Sequence, residues 1–146
     1  MRNDLQIVGL GMATLDVLVR LRDMPTWEHG TQIHGFRFDG GGPVATAMVA
    51  SARLGAKVGF IGTAGNDEAA NLKLRSMVDA DIDLSRLVTR SNPDDQVIFV
   101  FVNSDSGERV FSGVQRERKP ILIEELDRDY ITSAEYLHLD GFHPDA

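Results

Sequence analysis

The stretch GGGPVATAMVASARLG, residues 40–55, says more about the fold than any other part of the chain. Three glycines precede Pro43, a residue favoured at the first position of a helix, and small residues follow as far as Ala52. Leu54 and Gly55 end the stretch with a glycine of the kind that caps helix C-termini. The stretch therefore predicts a tightly packed helix that begins directly after a glycine-rich connection.

The residues before this helix predict strands of two kinds. Residues 5–10 form a short apolar run that ends in glycines, which is typical of a buried strand in a parallel sheet. Residues 16–22 and 31–38 alternate between their two faces, as strands with one wetter face do. We therefore expect one core strand, followed by two strands of a more exposed sheet.

The residues after the helix continue both patterns. Residues 57–61 predict a core strand, and Asn66 predicts the cap of a second helix. Residues 97–102 and 109–111 predict an exposed hairpin. The final elements are a weak helix at 123–128 and a short strand at 136–139. The apolar face of the second helix is predicted to consist of Ala70, Leu74, Met77 and Val78.

Composition and charge exclude several classes of function. The formal net charge of −7, without a basic cluster, argues against a nucleic-acid partner. The absence of cysteine excludes disulfides, thiolate metal sites and a cysteine nucleophile, and it is compatible with a cytoplasmic protein. The N-terminal residues contain neither a signal-peptide core nor a spanning segment, so we expect no membrane association.

Asp16 is the first candidate for a binding residue, because open α/β sheets place ligand-contacting groups beyond the carboxyl ends of their strands. Its carboxylate either accepts hydrogen bonds from two sugar hydroxyls or satisfies backbone amides at a strand start. The missing side chains of Gly41 and Gly42 let a hydroxyl-rich ligand reach amides at the helix start. A flexible connection is the alternative role of these glycines.

Two sequence motifs are rejected as sites. Gly9 and Gly11 superficially resemble a dinucleotide-binding turn, but Thr14 stands where a glycine or alanine is expected and a strand pattern follows. Residues 64–67 are better explained as a helix start than as a catalytic turn. No metal site is expected either, because no metal-ligand spacing relates the four histidines, His29, His34, His138 and His143.

Four blocks in order resemble the PfkB, or ribokinase-like, family of carbohydrate kinases. Residues 40–55 resemble its glycine-glycine signature, in a form similar to the sulfofructose-kinase-like branch. Residues 60–71 resemble its strand-to-helix Gly-x-x-Gly-x-Asp block, and residues 81–83 its Gly-Val-Asp turn. Residues 105–109 resemble the end of its lid hairpin, with one serine inserted. The similarity covers essentially the whole chain.

The resemblance implies an α/β fold with a partial Rossmann-like parallel core and an inserted β-sheet lid. Residues 1–146 would be the N-terminal part of one ribokinase-like domain, with lid strands at approximately 16–39 and 96–112 and the C-terminal half of the core absent. The lid implies a homodimer. Asp140 falls near a sugar-binding carboxylate of ribokinases, or is simply a strand-terminal residue. The implied substrate-binding positions are Thr14, Asp16, Gly41, Gly42, Thr46 and Asp140.

Thr14 and Thr46 depart from the pattern of the family, because both stand where ribokinases carry amide side chains that contact the sugar. A hydroxyl has a shorter reach and a single donor, which weakens the match to ribose. Which sugar is the substrate therefore stays open.

The implied activity is transfer of the γ-phosphoryl group of ATP, with Mg²⁺, to the hydroxymethyl group of a small sugar. We expect the catalytic base, the anion hole and the nucleotide site to lie outside this chain, which alone would be inactive and bind neither ATP nor Mg²⁺ well. The alternative is a sugar-binding or dimerisation module without chemistry.

Overall fold

The structure is a computed structural model, which describes residues 5–114, 116 and 119–146. Outside this description lie residues 1–4, 115, 117 and 118. Residues 1–4 are the first residues of the domain predicted to span 1–146. The elements, in chain order, are β1 (Ile7–Leu10), β2 (Thr14–Leu21), β3 (Ile33–Gly41), α1 (Pro43–Arg53), β4 (Val58–Ile61), β5 (Thr63–Ala64), α2 (Glu68–Asp79), β6 (Val88–Thr89), β7 (Val97–Asn103), β8 (Arg109–Gly113), a 3₁₀ turn (Ile123–Glu125), α3 (Arg128–Thr132) and β9 (Tyr136–Leu139).

The core is a parallel sheet in the order β4-β1-β9. β1 is central, and its Ile7 lies opposite Val58 of β4 and Tyr136 of β9. Apolar side chains cover both faces of the sheet: Phe60 packs with α1 residues on one face, and Val8 packs with Tyr130 on the other. Burial on both faces explains why β1 and β4 are short, continuous apolar runs, whereas the residues of β9 are exposed.

The lid is a separate mixed sheet in the order β3-β2-β7-β8. β2 pairs antiparallel with β3 and parallel with β7, and β7 forms an antiparallel hairpin with β8. β2 follows β1 after three residues, Gly11–Ala13, so the lid is attached directly to the carboxyl end of the central core strand. This arrangement confirms the predicted α/β fold with an inserted β-sheet lid.

Three details differ from the expectations. The cap of α2 is Asp67, whose carboxylate accepts a hydrogen bond from the amide of Ala70, and it is not Asn66. In place of one weak helix at 123–128, the chain forms the 3₁₀ turn and then α3, because Asp127 caps a new helix start. β3 extends to Gly41, so two of the three glycines are strand residues.

The face of α2 is also shifted from its prediction. Lys73 is buried, whereas Val78 is 62% exposed. Ala70 and Met77 are buried as expected, so the buried stripe runs through 70, 73 and 77. A buried lysine within this stripe requires a partner, which is described with the site below.

The segment before α3 is anchored to β6 by an ion pair. The Arg90 guanidinium donates hydrogen bonds to both carboxylate oxygens of Glu125 and to the carbonyl of Pro120. The bonds from Arg90 lower the pKa of Glu125 to about 2. The pair fixes this segment against the β5-β6 edge of the chain.

Among the described residues, no helix combines the length and the apolar character that crossing a membrane requires.

Candidate functional site

Thr14, Asp16 and Gly41 meet where β2 and β3 pair. Thr14 lies opposite Gly41, and Asp16 lies opposite Asp39. The Thr14 hydroxyl donates a 2.7 Å hydrogen bond to Oδ1 of Asp16. A Cβ atom on Gly41 would lie 2.4 Å from Oδ2 of Asp16 and 2.6 Å from the Thr14 hydroxyl oxygen. Only glycine leaves room for this carboxylate, which therefore lies directly against the β3 backbone.

Gly42 is required for a different reason. It occupies the N-cap position of α1 with φ 94° and ψ 142°, a backbone conformation that residues other than glycine rarely adopt. A Cβ atom there would lie 2.5 Å from the carbonyl oxygen of Met12. Gly42 thus fits α1 against the turn that joins β1 to β2. No side chain caps the first amides of α1, and its first turn has no acidic residue.

Asp140 lies at the carboxyl end of β9, next to the same turn. One of its carboxylate oxygens accepts a 2.9 Å hydrogen bond from the Met12 amide, and the other accepts a 2.8 Å bond from the Phe142 amide. A Cβ atom on Gly11 would lie 2.6 Å from Oδ1 of Asp140. Asp140 therefore acts on the backbone of the turn, and both of its oxygens already accept hydrogen bonds.

Thr46 lies apart from the Thr14–Asp16 pair. It is exposed on the second turn of α1 and lines a cavity of about 180 Å³ with Gly41, Asp39 and Arg53. Gly41 contributes to both groups, whereas Thr14, Asp16, Gly42 and Asp140 do not line this cavity. The structure therefore brings Thr14, Asp16 and Gly41 together, places Thr46 on a cavity that Gly41 also lines, and places Gly42 and Asp140 beside the Met12 turn.

The glycines of the turn after β1 leave no open space for a phosphate. A Cβ atom on Gly9 would lie 2.6 Å from both Val44 and Met48 of α1, so this glycine serves strand–helix packing. The element that follows the turn in the chain is β2, and the space at Gly11 is filled, because a Cβ atom there would lie 2.5 Å from Val44 at the start of α1. In the second rejected motif, residues 64–67, the Asp67 carboxylate accepts hydrogen bonds from the amides of Ala70 and Asp94.

A buried ion pair joins α2 to the base of the lid, and the sequence analysis missed it. Lys73 Nζ lies 2.6 Å from Oδ2 of Asp94, and both side chains are 0% exposed. Asp94 also accepts hydrogen bonds from the amides of Gly65 and Gln96, and Gln96 leads directly into β7. Burial lowers the pKa of Lys73, and the Asp94 carboxylate opposes that effect. The one available signal in the sequence was helical spacing: Lys73 follows Ala70 by three residues and therefore lies on the same face of α2.

No group of three or more histidine, aspartate or glutamate side chains within the described parts of the chain is placed to hold a metal ion. The filled glycine turn does not fit a nucleotide phosphate. No step of nucleotide chemistry is assigned to the described residues.

Comparisons with known proteins agree with this architecture. The chain is 28% identical over 140 residues to an ATP-dependent ribose-1-phosphate kinase from Halopiger xanaduensis, covering 96% of this chain and 47% of that one. Among solved structures it is similar to a fructokinase from Xylella fastidiosa, at 26% identity and a TM-score of 0.74, covering 93% of this chain and 42% of that one. It also shares its fold with an Arabidopsis thaliana ribokinase complexed with ribose and ATP, at 19% identity and a TM-score of 0.74, covering 92% and 44%.

The chain spans less than half the length of the curated relatives it matches. Its similarity to them nevertheless extends across the core sheet and the lid, because residues 6–146 match the pfkB family of carbohydrate kinases. The chain therefore belongs to the pfkB carbohydrate kinase family.

Proposed function

We propose that this chain is the sugar-binding part of a cytoplasmic, ATP-dependent kinase that phosphorylates the hydroxymethyl group of a small sugar. The observation that carries the proposal is the half-buried Asp16 carboxylate, held against Gly41 beside the start of α1. A carboxylate accepts hydrogen bonds and donates none, so it suits the hydroxyl of a neutral sugar. Membership of the family supports the same ligand class.

In this proposal the residues of the chain bind and orient the sugar. Asp16 accepts a hydrogen bond from a sugar hydroxyl, and the backbone of β3 at Gly41 forms the surface beside it. ATP, with Mg²⁺, supplies the phosphoryl group that is transferred. The base and the nucleotide site belong to residues outside this chain, which by itself positions the acceptor without completing the reaction.

D-ribose and D-fructose are the sugars to test first. Solved relatives include a ribokinase complexed with ribose and a fructokinase, and a curated relative is named for ribose 1-phosphate. Among the described residues, no cationic side chain is hydrogen-bonded to Asp16, whose own negative charge would repel a phosphate group beside it. We therefore expect the neutral sugars to bind in preference to the sugar phosphate.

Replacing Asp16 with asparagine is expected to weaken sugar binding by about tenfold, because a charge-assisted hydrogen bond is replaced by a neutral one. The dissociation constant is measured by NMR titration of the chain with each sugar. The matched control is Asp105→Asn, because Asp105 also belongs to the lid but lines no part of the candidate site and pairs with Arg22 at an exposed position. Equal losses in the two variants, or no loss in Asp16→Asn, would contradict the proposed site.

We also propose that the lid forms a homodimer interface, on the strength of one apolar face. On β3, Phe36 and Phe38 lie opposite Val19 and Val17 of β2. On β7, Phe101 and Phe99 lie beside the same two valines. Cross-strand partners share a face, so these rings form a continuous apolar surface. Phe36 is 69% exposed and Phe38 is 40% exposed. Monomeric soluble proteins rarely expose a large contiguous apolar surface, and such a surface marks an interaction site.

A charge placed on that face is expected to separate the copies. Phe36→Asp should shift the chain from dimer to monomer in sedimentation-velocity measurements, because the new carboxylate would be buried without a partner. Phe111 is 65% exposed and lies on the opposite face of the lid, opposite Val100, so Phe111→Asp is the matched control and should remain dimeric. A wild-type chain that is monomeric at high concentration would refute the interface.

A further inference from the structure

Thr14 has a different role from the sugar contact that its position first suggests. Its side chain is buried, with 4% exposure, at the first position of β2. Its hydroxyl carries a single donor, and that donor is directed at Oδ1 of Asp16, two residues further along the same strand. A buried hydroxyl that gives its hydrogen to a carboxylate has none left to donate to a sugar.

The surroundings hold this hydrogen bond in one arrangement. Thr14 is the cross-strand partner of Gly41, and the hydroxyl and carboxylate both occupy the space where a Gly41 side chain would stand. The floor below the pair is therefore the backbone of β3, which is buried at Gly41. Rotation of the Asp16 side chain away from this floor would leave the Thr14 hydroxyl buried without an acceptor, which costs free energy.

We propose that Thr14 is a positioning residue that holds the Asp16 carboxylate in one orientation by engaging Oδ1, so that the remaining acceptor sites of the carboxylate meet the sugar in a fixed geometry. The proposal rests on the sugar site proposed above and assigns its selectivity. Thr14 already occupies one acceptor site of the carboxylate, so fewer sites, held in one orientation, remain for sugar hydroxyls. The ligand must present a donor at this point, which favours a hydroxyl over a phosphate or carboxylate group.

The experiment uses Thr14→Val, which removes the hydroxyl at nearly constant volume, and Thr14→Ser, which retains it. In the free chain, the side-chain carboxyl ¹³C chemical shift of Asp16 reports the hydrogen bond without any ligand. Dissociation constants for D-ribose and D-fructose then report its effect on binding. Urea unfolding of both variants separates loss of the fold from loss of positioning.

We expect Thr14→Val to move the Asp16 carboxyl signal and to weaken sugar binding by about tenfold, close to the loss in Asp16→Asn. Thr14→Ser should keep the wild-type signal and bind sugar within about twofold of wild type. An unchanged Asp16 signal in Thr14→Val, or a Thr14→Ser variant that loses binding as completely as Thr14→Val, overturns the positioning role. A wild-type chain that binds neither sugar overturns the proposed function instead, while the Asp16 signal still tests the Thr14–Asp16 bond.

Discussion

Replacing Lys73 with methionine is expected to lower the free energy of unfolding by about 3–5 kcal/mol, a large part of the stability of a domain this size. The methionine keeps an apolar stem in the stripe of α2 but leaves the Asp94 carboxylate buried without its cation. Among the described residues, the amides of Gly65 and Gln96 would then be the remaining hydrogen-bond donors to the Asp94 carboxylate. Urea unfolding followed by far-UV circular dichroism measures the change.

The matched control is Arg22→Met. Arg22 and Asp105 also form an ion pair, with a 2.9 Å separation, but their side chains are 65% and 58% exposed. Exposed pairs contribute roughly 0–1 kcal/mol, so this variant should unfold close to the wild type. If Lys73→Met and Arg22→Met cost the same, the Lys73–Asp94 pair does not anchor the base of the lid.

Replacing Gly42 with alanine is expected to cost about 3 kcal/mol or more, from two causes that add together. The φ of 94° disfavours any side chain, and the new Cβ atom would lie 2.5 Å from the Met12 carbonyl oxygen, which is backbone and cannot rotate away. The start of α1 and the turn after β1 would have to separate. The same unfolding measurement reports the loss.

Gly55 provides a control that separates the two causes. Its φ is 97°, close to that of Gly42, but nothing lies within 4 Å of a Cβ atom placed there. Gly55→Ala therefore carries the conformational cost alone, of about 1–2 kcal/mol. A Gly42→Ala variant that is no less stable than Gly55→Ala would show that α1 does not pack tightly against the Met12 turn.

The strands and helices could be predicted because local chemistry marks their ends. Pro43 and Gly55 bound α1, and the buried core strands are short apolar runs that no helix period fits. The cap of α2 was misplaced by one residue, since Asn66 and Asp67 have equivalent capping chemistry and only the backbone geometry distinguishes them.

The roles of the site residues were harder to predict, because each depends on atoms distant in sequence. The glycines of residues 41–42 were left open between ligand access and a flexible connection, and the sequence did not show that Asp16 and the Met12 backbone lie where their side chains would stand. Asp140 was left open between two roles, and its hydrogen bond to Met12 spans 128 residues. Lys73 was not part of the predicted apolar face of α2, and its partner Asp94 lies in a loop 21 residues further along the chain.

The most direct test of the central claim is an NMR titration of the isotope-labelled chain with D-ribose, with D-fructose and with ATP and Mg²⁺ in separate samples. The account predicts that a sugar shifts the amide signals of Asp16, Gly41 and Gly42, and that ATP with Mg²⁺ shifts none of these. Sugar-induced shifts confined to other parts of the chain, or no shift with either sugar, would contradict the claim that this chain holds the sugar.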